Sequence, residues 1–487
     1  MARSSFLTPL DAAFVYGETR SMMFHVGALL VFEPPKGAGP TFVADLYDAM
    51  RETRDLPAPW NRRLRYASLP YSPIHQWVES EVDLDYHLRR SALPSPGGER
   101  ELGILVSRLH GHPLDFSRPP WEWHLIEGLD HGRFALFTKM HHALADGYTG
   151  MQMLQHALSI DPEDRSNPFF FGPGKRQTKR AGDTEVLHMA TSPVAPVLHA
   201  ATGAAKFISQ GALSGVSASA AWLRTQVPGL RGDSEVITSH EAPHTIINRR
   251  IGRNRRFATQ ALDLETLKQV GHAHGATVND VLLSVIGGGL RRYLGDLDAL
   301  PEDPLIAFVP VNVRADGDAG GGNAVGAVLT STGSDQEDPI ERLHEVTRST
   351  TAAKGRLVGM GRDAIMAYSG MVLAPMGLQA VGALAGIGGP LPLALNLCVS
   401  NVPGPQHPLY LRGAQLVVSY PASIPAHGMG LNITVHSYNG TLGVGFIACR
   451  DTVPHLQRLA VAVGDSLAEL VAATEAMSDS IADATPV

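Results

Sequence analysis

Two kinds of hydrophobic periodicity alternate along the chain and predict a mixed α/β protein. Residues 23–33, MFHVGALLVFE, predict a strand, and residues 42–55, FVADLYDAMRETRD, repeat apolar side chains every four positions, as a helix does. In residues 133–140, RFALFTKM, the side chains alternate between two faces, which again indicates a strand. This strand runs directly into a pair of histidines, and residues 148–160 after them have helical spacing. The histidines are therefore predicted on a strand-to-helix loop.

The same alternation returns in the second half of the chain. One helix is predicted to start near Asp263 and to stop at Gly275, and another follows it at once. An amphipathic helix is predicted at 453–477. Further strands are predicted at 305–314, at 393–404 and within 431–451, where the last region forms a hairpin that turns at Tyr438-Asn439-Gly440.

The length and the polar segments divide the chain into two domains. A single hydrophobic core stops growing at about 250–300 residues, and this chain has 487. Turn-forming and charged residues dominate 161–183, and the residues at 185–230 are rich in Ala, Gly and Ser and predicted to be helical. We therefore predict an N-terminal domain at 1–170, a linker with a helical segment at 171–245, and a C-terminal domain at 246–487.

Composition and charge narrow the classes of function. The chain is 44% hydrophobic and 18% charged, which is typical of a globular protein. Its formal net charge of -7 argues against nucleic-acid binding, which needs a basic surface. Only Cys398 and Cys449 occur as cysteines, and the N-terminus lacks a secretory pattern, so we expect an intracellular, reducing setting without disulfides.

Two segments could contact lipid. Residues 364–411 contain no Asp, Glu, Lys or Arg, but the prolines and glycines within them argue against a spanning helix, so we expect buried core, a tunnel wall or a lipid-contacting surface. The linker also carries a basic cluster that is either a solvated face or a contact for anionic headgroups. The cluster consists of Lys175, Arg176, Lys179 and Arg180.

The candidate chemistry lies in KMHHALADG at 139–147. His141 and His142, followed by Asp146, offer too few ligands for zinc, which needs three or four. A serine hydrolase is disfavoured because the chain has no Gly-x-Ser-x-Gly elbow. The alternatives that remain are a locally hydrogen-bonded structural pair and a general base that accepts a proton near neutral pH.

These residues and several further blocks resemble the bacterial wax ester synthase/diacylglycerol acyltransferases, within the chloramphenicol-acetyltransferase-like superfamily of CoA-dependent acyltransferases. The resemblance covers nearly the whole chain. It departs from the family at Pro119-Pro120-Trp121, where the family has Pro-Leu-Trp. The further blocks are LTPLDAAF at 7–14, HVGALLVFE at 25–33, HPLDFSRPPWEWHLIEGL at 112–129, ATVNDVLL at 276–283, VPVNVR at 309–314, GGN at 321–323, SNVPGP at 400–405 and LNITVHSYNG at 431–440.

The resemblance implies a fold and roles for the motif residues. The fold would be two chloramphenicol-acetyltransferase-like α/β domains, each a mixed sheet with flanking helices, with an active-site channel between them. His142 would be the general base, and His141 would support the loop and line the channel. Asp146 would hold the loop, with Arg314 as its candidate partner. No metal and no permanently bound cofactor are expected, and acyl-CoA would be a co-substrate.

Asn279 is a further candidate site residue because it lies at the start of a predicted helix. Free backbone N–H groups and the Asn amide could hydrogen-bond the thioester carbonyl as it becomes an oxyanion. The alternative is that Asn279 only caps the helix. The sequence does not decide between these two roles.

The resemblance also implies substrates and a location. The predicted activity is transfer of a long-chain acyl group from acyl-CoA to the hydroxyl of diacylglycerol or of a long-chain alcohol, which yields storage triacylglycerol or wax ester. Other acyl transfers on this fold, of the polyketide or peptide condensation type, remain alternatives, as does a non-catalytic protein that binds lipid droplets. We expect a cytoplasmic protein at the inner face of the membrane or on droplets, with acyl tunnels formed by 185–230 and 364–411.

Overall fold

Two six-stranded mixed sheets and a small three-stranded sheet organise the part of the chain that the structure describes. The computed structural model describes residues 4–54, 56–66, 75–144, 150, 153, 156–172, 242–312, 325–358, 360, 364–365, 368–369 and 393–483. In chain order the elements are β1 (Ser4–Phe6), α1 (Pro9–Gly17), β2 (His25–Glu33), α2 (Phe42–Arg51), β3 (Arg62–Arg65), β4 (Gln76–Glu79), α3 (Leu84–His87), β5 (Leu88–Ala92), α4 (Glu99–His110), β6 (Trp121–Glu127), β7 (Phe134–His141), β8 (Arg255–Asp263), α5 (Leu264–His274), α6 (Val278–Gly295), β9 (Ile306–Asn312), β10 (Val325–Ser331), α7 (Pro339–Gly355), β11 (Leu397–Pro403), β12 (Tyr410–Leu411), β13 (Ala414–Ala422), β14 (Leu431–Tyr438), β15 (Thr441–Cys449) and α8 (Leu456–Asp483).

The first sheet has the strand order β12-β13-β2-β7-β6-β5, and its neighbours are antiparallel except for the parallel pair β5 and β6. Both faces of this sheet are covered. One face packs with Trp121, Trp123 and Phe134 in a core that also includes residues of α2, and the other face packs against α4. Coverage on both faces explains why all eight residues of β7 are buried although its sequence alternates.

The second sheet has the strand order β10-β9-β11-β14-β15-β8. Strand β11 runs parallel to β9 and β14, and the other neighbours are antiparallel. Helices α5, α6, α7 and α8 supply apolar side chains to a core on one face of this sheet. The two sheets with flanking helices agree with the predicted α/β fold class.

Local sequence signals account for several element ends. Asp263 caps α5 by accepting the Thr266 backbone N–H at 2.7 Å, and Gly275 ends the helix in the left-handed region at φ 64°. The β14–β15 hairpin turns through Asn439 and Gly440, both with positive φ, as a two-residue hairpin loop requires. These boundaries confirm the predicted helix from Asp263 to Gly275 and the predicted hairpin turn.

Strands β12 and β13 come from the C-terminal part of the chain but belong to the first sheet, where β13 pairs with β2. The backbone of β13 also lies directly against β15. A Cβ added to Gly445 would lie 1.8 Å from the Pro421 carbonyl oxygen, and one added to Gly443 would lie 2.1 Å from that of Ser419. The predicted division at 246 did not anticipate this exchange, which places 410–422 in the sheet of the N-terminal region.

The predicted connection from 161 begins inside the first core. Phe169, Phe170 and Phe171 are buried, and the ring of Phe171 lies 5.7 Å from that of Trp121 and 5.2 Å from that of Trp123. These phenylalanines thus extend the first packing unit past the predicted boundary at 170. Most of the predicted linker, residues 173–241, lies outside the described residues, including the basic cluster and the Ala/Gly-rich segment.

The uncharged stretch 364–411 is described only in part. Its described residues Tyr368, Leu395 and Cys398 are buried, whereas residues 370–392 lie outside the described part of the chain. In the ranges that the structure describes, none of the helices combines the length and the apolar character that a membrane crossing requires.

Candidate active site

The two histidines of the motif lie where β7 ends and the following loop begins. His141 is the last residue of β7 and pairs with His25 of β2 across the first sheet. Its backbone N–H donates to the Pro120 carbonyl oxygen at 2.9 Å. The backbone N–H of His142 donates to the Phe24 carbonyl oxygen at 2.8 Å. Backbone hydrogen bonds to chain segments on two sides therefore fix the position of both residues.

The imidazole of His141 is held by hydrogen bonds at both nitrogens. The backbone N–H of Ala143 donates to Nδ1 at 3.2 Å, so in this arrangement Nδ1 accepts and Nε2 carries the hydrogen. Nε2 lies 3.0 Å from Oε2 of Glu18, to which it donates. The side chain is fully buried, and the edge of the Phe116 ring packs against it at 4.9 Å between centroids. These contacts hold the His141 ring in place.

The imidazole of His142 occupies a different setting. Its ring lies 4.4 Å from the ring of Phe14 at an interplanar angle of 36°, and the residue is only partly buried. Phe14 also packs against Phe24, with ring centroids 5.5 Å apart. Of the two histidines, His142 is the less buried residue, and a general base has to be able to meet a substrate hydroxyl.

Glu18 is the residue of this site that the sequence did not single out. Its Oε2 accepts from His141 Nε2 and also from the Phe24 backbone N–H at 3.2 Å. The same carboxylate therefore ties β7 to the segment that binds the His142 backbone. A signal was present in the sequence. The resemblance block at 7–14 ends at Phe14, and Glu18 lies four residues further on.

Helix α1 carries these contacts and is fixed at its start by a capping box. The Thr8 hydroxyl accepts the Asp11 backbone N–H at 3.1 Å, and the Asp11 carboxylate accepts the Thr8 backbone N–H. Phe14 and Glu18 are one helical turn apart, so they project from the same side of this segment. Phe14 within α1 and Glu18, the residue that caps its C-terminus, thus each contact one of the two histidines.

A buried ion pair links β7, the strand that ends in the histidines, to the neighbouring strand β6. Lys139 is fully buried, and its ammonium lies 3.1 Å from the Glu122 carboxylate. Burial alone would raise the pKa of Glu122, but the hydrogen bond from His124 and the charges of Lys139 and Arg89 outweigh it and lower that pKa to about 2. Burial lowers the pKa of the Lys139 ammonium, which the Glu122 charge opposes. Glu122 therefore stays ionised and compensates the buried lysine.

The Lys139 ammonium also fixes the end of α4. It donates to the carbonyl oxygens of Leu109 and His112 at 3.0 and 3.1 Å. Nearby, His25 Nε2 lies 2.8 Å from the His110 carbonyl oxygen, and the two rings meet edge to face. Burial, with smaller effects of the Arg255 and Lys139 charges, lowers the pKa of His110 to about 3. Burial also lowers the pKa of His25, so the imidazoles of His25 and His110 are neutral near pH 7.

Of the other predicted site residues, the structure describes Asn279 but neither Asp146 nor Arg314. Asp146 and Arg314 lie outside the described residues. Asn279 is the second residue of α6, and the cap of this helix is Thr277, whose hydroxyl accepts the Asp280 backbone N–H. The alternative that Asn279 caps the helix is therefore wrong.

The N-terminus of α6 is tied to α7. The Asp280 carboxylate accepts from the Thr350 hydroxyl at 2.7 Å and lies 3.9 Å from the Lys354 ammonium. These contacts do not bring Asn279 to His142, so its role as an oxyanion donor stays a prediction.

The site loop meets the second sheet through an apolar cluster. Phe24, which binds the His142 backbone, packs against a cluster of buried residues that includes Cys398 of β11 and Met429. Ile306 and Leu329 from β9 and β10 belong to the same cluster. Cys398 and Cys449 are both free thiols. The contact places the second sheet next to the candidate base.

Comparison with known proteins agrees with this geometry. The model of the wax ester synthase/diacylglycerol acyltransferase catalytic domain matches residues 7–282, and that of the family's C-terminal domain matches 321–471. A putative diacylglycerol O-acyltransferase from Mycobacterium tuberculosis is 49% identical and covers 96% of this chain and 97% of its own length. The chain belongs to this family.

Solved structures support the same assignment at the level of the fold. The wax ester synthase/diacylglycerol acyltransferase from Marinobacter aquaeolei VT8 superposes with a TM-score of 0.72 at 35% identity, over 97% of this chain and all of that one. The first condensation domain of the calcium-dependent antibiotic synthetase has a TM-score of 0.56 at 17% identity, over 96% of each chain, and shares only the fold. Family membership confirms the predicted fold class and the predicted acyltransferase class of this enzyme.

Proposed function

We propose that this enzyme transfers a long-chain acyl group from acyl-CoA to the hydroxyl of diacylglycerol or of a long-chain alcohol, with His142 as the general base. The observation that carries the proposal is the contrast between the two histidines. Two hydrogen bonds hold the buried His141 ring, whereas His142 is the less buried residue and its ring packs against Phe14. The names of the relatives, which include diacylglycerol O-acyltransferases, support the acceptor class.

The proposed step is a direct transfer. His142 takes the proton of the acceptor hydroxyl while that oxygen forms a bond to the thioester carbonyl carbon. The tetrahedral intermediate then breaks its carbon–sulfur bond, and the proton passes to the CoA thiolate. A positioned base contributes about 10²–10⁴ in rate, and each oxyanion donor contributes about 10²–10³. We keep Asn279 as the candidate oxyanion donor, because Thr277 leaves the Asn279 amide free of the capping role.

An apolar binding region for the acyl chain is part of the proposal. Each methylene moved from water into an apolar environment contributes about 0.8 kcal/mol, so a long chain favours a lined tunnel. The cluster that joins Phe24 to Cys398 and Tyr368 supplies apolar walls beside the site loop. It supports a channel between the two sheets, which is the arrangement that the resemblance implies.

An assay of the wild-type enzyme tests the proposal. Palmitoyl-CoA is supplied with hexadecanol, with dipalmitoylglycerol, or with hexadecane, which has a similar chain and no hydroxyl, and both free CoA and neutral lipid are measured. Wax ester or triacylglycerol formed together with CoA supports the proposal, and the ratio of the products identifies the preferred acceptor. If neither ester appears, or if CoA is released equally with hexadecane, transfer to these acceptors is refuted.

A further inference from the structure

Arginines concentrate in the segment that leads into β8. Residues 249–256, RRIGRNRR, contain five arginines in eight positions, although the whole chain has a formal net charge of -7. Arg249, Arg250 and Arg253 are exposed, and so is Arg20 in the segment between α1 and β2. A local excess of one sign of charge raises the local concentration of ligands of the opposite sign. These exposed arginines are therefore a candidate binding site for an anion.

A buried guanidinium joins the two segments. Arg255 is 4% exposed, and it donates through one Nη to the Gly252 carbonyl oxygen and through the other to the Ser21 carbonyl oxygen, both at 2.6 Å. Because both carbonyls bind one guanidinium, the residues that adjoin them in sequence, Arg20 and Arg253, are also neighbours in space.

We call the exposed arginines of both segments the arginine cluster. Arg249 and Arg250 are at most four residues from Arg253, and the long, flexible stem of each arginine lets its guanidinium turn towards a shared ligand. The members of the arginine cluster are Arg20, Arg249, Arg250 and Arg253.

The arginine cluster lacks an internal partner among the residues that the structure describes. In that part of the chain, none of its members takes part in an ion pair or in a side-chain hydrogen bond. The carboxylate next to Gly252 belongs to Asp451, which pairs with Arg450 at 3.3 Å and accepts from Asn254 at 3.4 Å. The guanidinium groups of the arginine cluster are thus available to an external anion, for which their planar fork is well suited.

Backbone contacts hold this segment beside the apolar cluster of the site. The Gly428 N–H donates to the Arg249 carbonyl oxygen at 3.3 Å, and the Ile251 N–H donates to His427 Nδ1 at 3.2 Å. Met429, the residue after Gly428, belongs to the apolar cluster against which the site loop packs. The arginine-rich segment therefore lies next to the region that we propose for the acyl chain.

The distance from the arginine cluster to the candidate base fits one part of the CoA molecule. Ser21 is three residues before Phe24, so the two are at most about 11 Å apart, and the Phe24 carbonyl oxygen binds the His142 backbone. The pantetheine arm that separates the phosphates of CoA from its sulfur is about as long as four extended residues, or roughly 13–14 Å. A CoA whose phosphates bind at the arginine cluster can therefore place its thioester at His142.

We propose that the arginine cluster binds the phosphate groups of CoA, which are the 5′-diphosphate and the 3′-phosphate of its adenosine end. Phosphate oxygens accept paired, charge-assisted hydrogen bonds from guanidinium groups. The inference rests on the proposed function, because it names the residues that recognise the nucleotide end of the acyl donor. Anionic lipid headgroups carry phosphate as well, so the experiment separates these two sources.

Calorimetric binding of two unreactive ligands tests the site without turnover. Hexadecyl-CoA is a thioether that cannot transfer its chain, and hexadecyl-pantetheine has the same chain and no nucleotide. For Arg20→Gln/Arg253→Gln and for Arg249→Gln/Arg250→Gln we expect hexadecyl-CoA to bind about 10- to 100-fold more weakly than to the wild type, from the loss of hydrogen bonds to charged groups. Both variants should bind hexadecyl-pantetheine as the wild type does.

A matched control removes the same charges elsewhere. Arg65→Gln/Arg100→Gln changes two exposed arginines, one on β3 and one at the start of α4. This variant should bind both ligands as the wild type does. The proposal is overturned if the arginine-cluster variants keep the wild-type affinity for hexadecyl-CoA, if they lose hexadecyl-pantetheine to the same extent, or if the control variant loses as much.

Sedimentation with phosphatidylglycerol vesicles identifies the source of the phosphate. The arginine-cluster variants should sediment with these vesicles to the same extent as the wild type. If they lose vesicle binding and keep the wild-type affinity for hexadecyl-CoA, the anion is a lipid headgroup and the proposal is overturned.

The outcome for this site is separable from the outcome for the proposed function. A wild type that binds hexadecyl-CoA through the arginine cluster, but forms neither wax ester nor triacylglycerol, refutes the proposed function and leaves the phosphate site supported. A wild type that forms an ester, while the arginine-cluster variants keep its affinity for hexadecyl-CoA, gives the opposite result.

Discussion

Adjacent residues of the same type have different surroundings in the candidate site. His141 donates to Glu18 and accepts from Ala143, and His142 presents its ring beside Phe14. The pattern His-His-x-x-x-Asp-Gly is enough to single out this pair as the candidate. It could not reveal Glu18, because that carboxylate is 123 residues away in sequence and only the fold brings it to His141.

Replacement of Glu18 tests its role as a positioning residue. A hydrogen bond to a charged group contributes about 1.5–3 kcal/mol, so we expect Glu18→Ala to lower kcat by about 10- to 100-fold. Glu18→Gln keeps an oxygen that can accept from His141 and should recover part of that loss. For both variants, kcat is measured at saturating acceptor and kcat/KM at limiting acceptor.

A merely structural role for Glu18 predicts a different outcome. In that case both variants would lose folded protein, which thermal unfolding detects, while the kcat of the remaining folded fraction would equal that of the wild type. A partial rescue by Gln at unchanged unfolding temperature supports positioning.

The buried histidines predict how stability depends on pH. Burial lowers the pKa of His110 to about 3, below the value of about 6.5 that it has in the unfolded chain. The unfolded state therefore binds a proton that the folded state does not, and stability falls as pH drops from about 6.5 towards about 3. Each such proton contributes a slope of about 1.4 kcal/mol per pH unit.

The measurement is urea unfolding between about pH 6.5 and about pH 4. His110→Gln should show a slope smaller by one proton than that of the wild type, because His25 and other buried histidines continue to contribute. Equal slopes in the two proteins would mean that His110 is protonated in the folded state.

At the scale of elements, local signals were readable and long-range pairings were not. The caps at Asp263 and Gly275 and the turn at Asn439-Gly440 depend on residues that adjoin in sequence, and these predictions were confirmed. The sequence Thr277-Val278-Asn279-Asp280 is itself a capping-box pattern, so the cap of α6 could have been assigned correctly.

The exchange of β12 and β13 into the first sheet had no comparable signal. Short apolar strands carry little information about their partner, because every alternating strand presents the same kind of face. The one feature of the sequence that is consistent with this pairing is the pair of glycines in β15. Gly443 and Gly445 are two residues apart and therefore lie on the same face of β15, which β13 covers. Because neither has a side chain, the two backbones can approach closely.

A single methyl group at this contact tests its importance. Gly445→Ala would place its Cβ 1.8 Å from the Pro421 carbonyl oxygen, so one of the strands must shift. We expect a loss of about 1–3 kcal/mol in the free energy of unfolding. The control is Gly295→Ala at the exposed end of α6, where nothing lies within 4 Å of the added Cβ and no loss is expected. Equal stabilities for the two variants would show that the sheets adjust freely.

At the scale of the whole molecule, two sheets with their own helical or aromatic cores share one interface. The length of the chain and the polar segment after 160 predicted two units, and the order of sequence blocks predicted the family. The packing of Phe24 against β9, β10 and β11 shows why neither unit alone forms the surroundings of the site. The predicted domain boundaries at 170 and 246 divide the sequence, but β12 and β13, which follow 246, belong to the sheet of the N-terminal region.

The account depends most on His142 as the base, and the direct test is the turnover of His142→Ala with palmitoyl-CoA and the preferred acceptor. The loss of a positioned base should lower kcat by about 10²–10⁴. The unfolding temperature should stay close to that of the wild type, because His142 is only partly buried as a residue and the backbone hydrogen bond to Phe24 remains. A folded His142→Ala enzyme that keeps most of the wild-type kcat would contradict the mechanism.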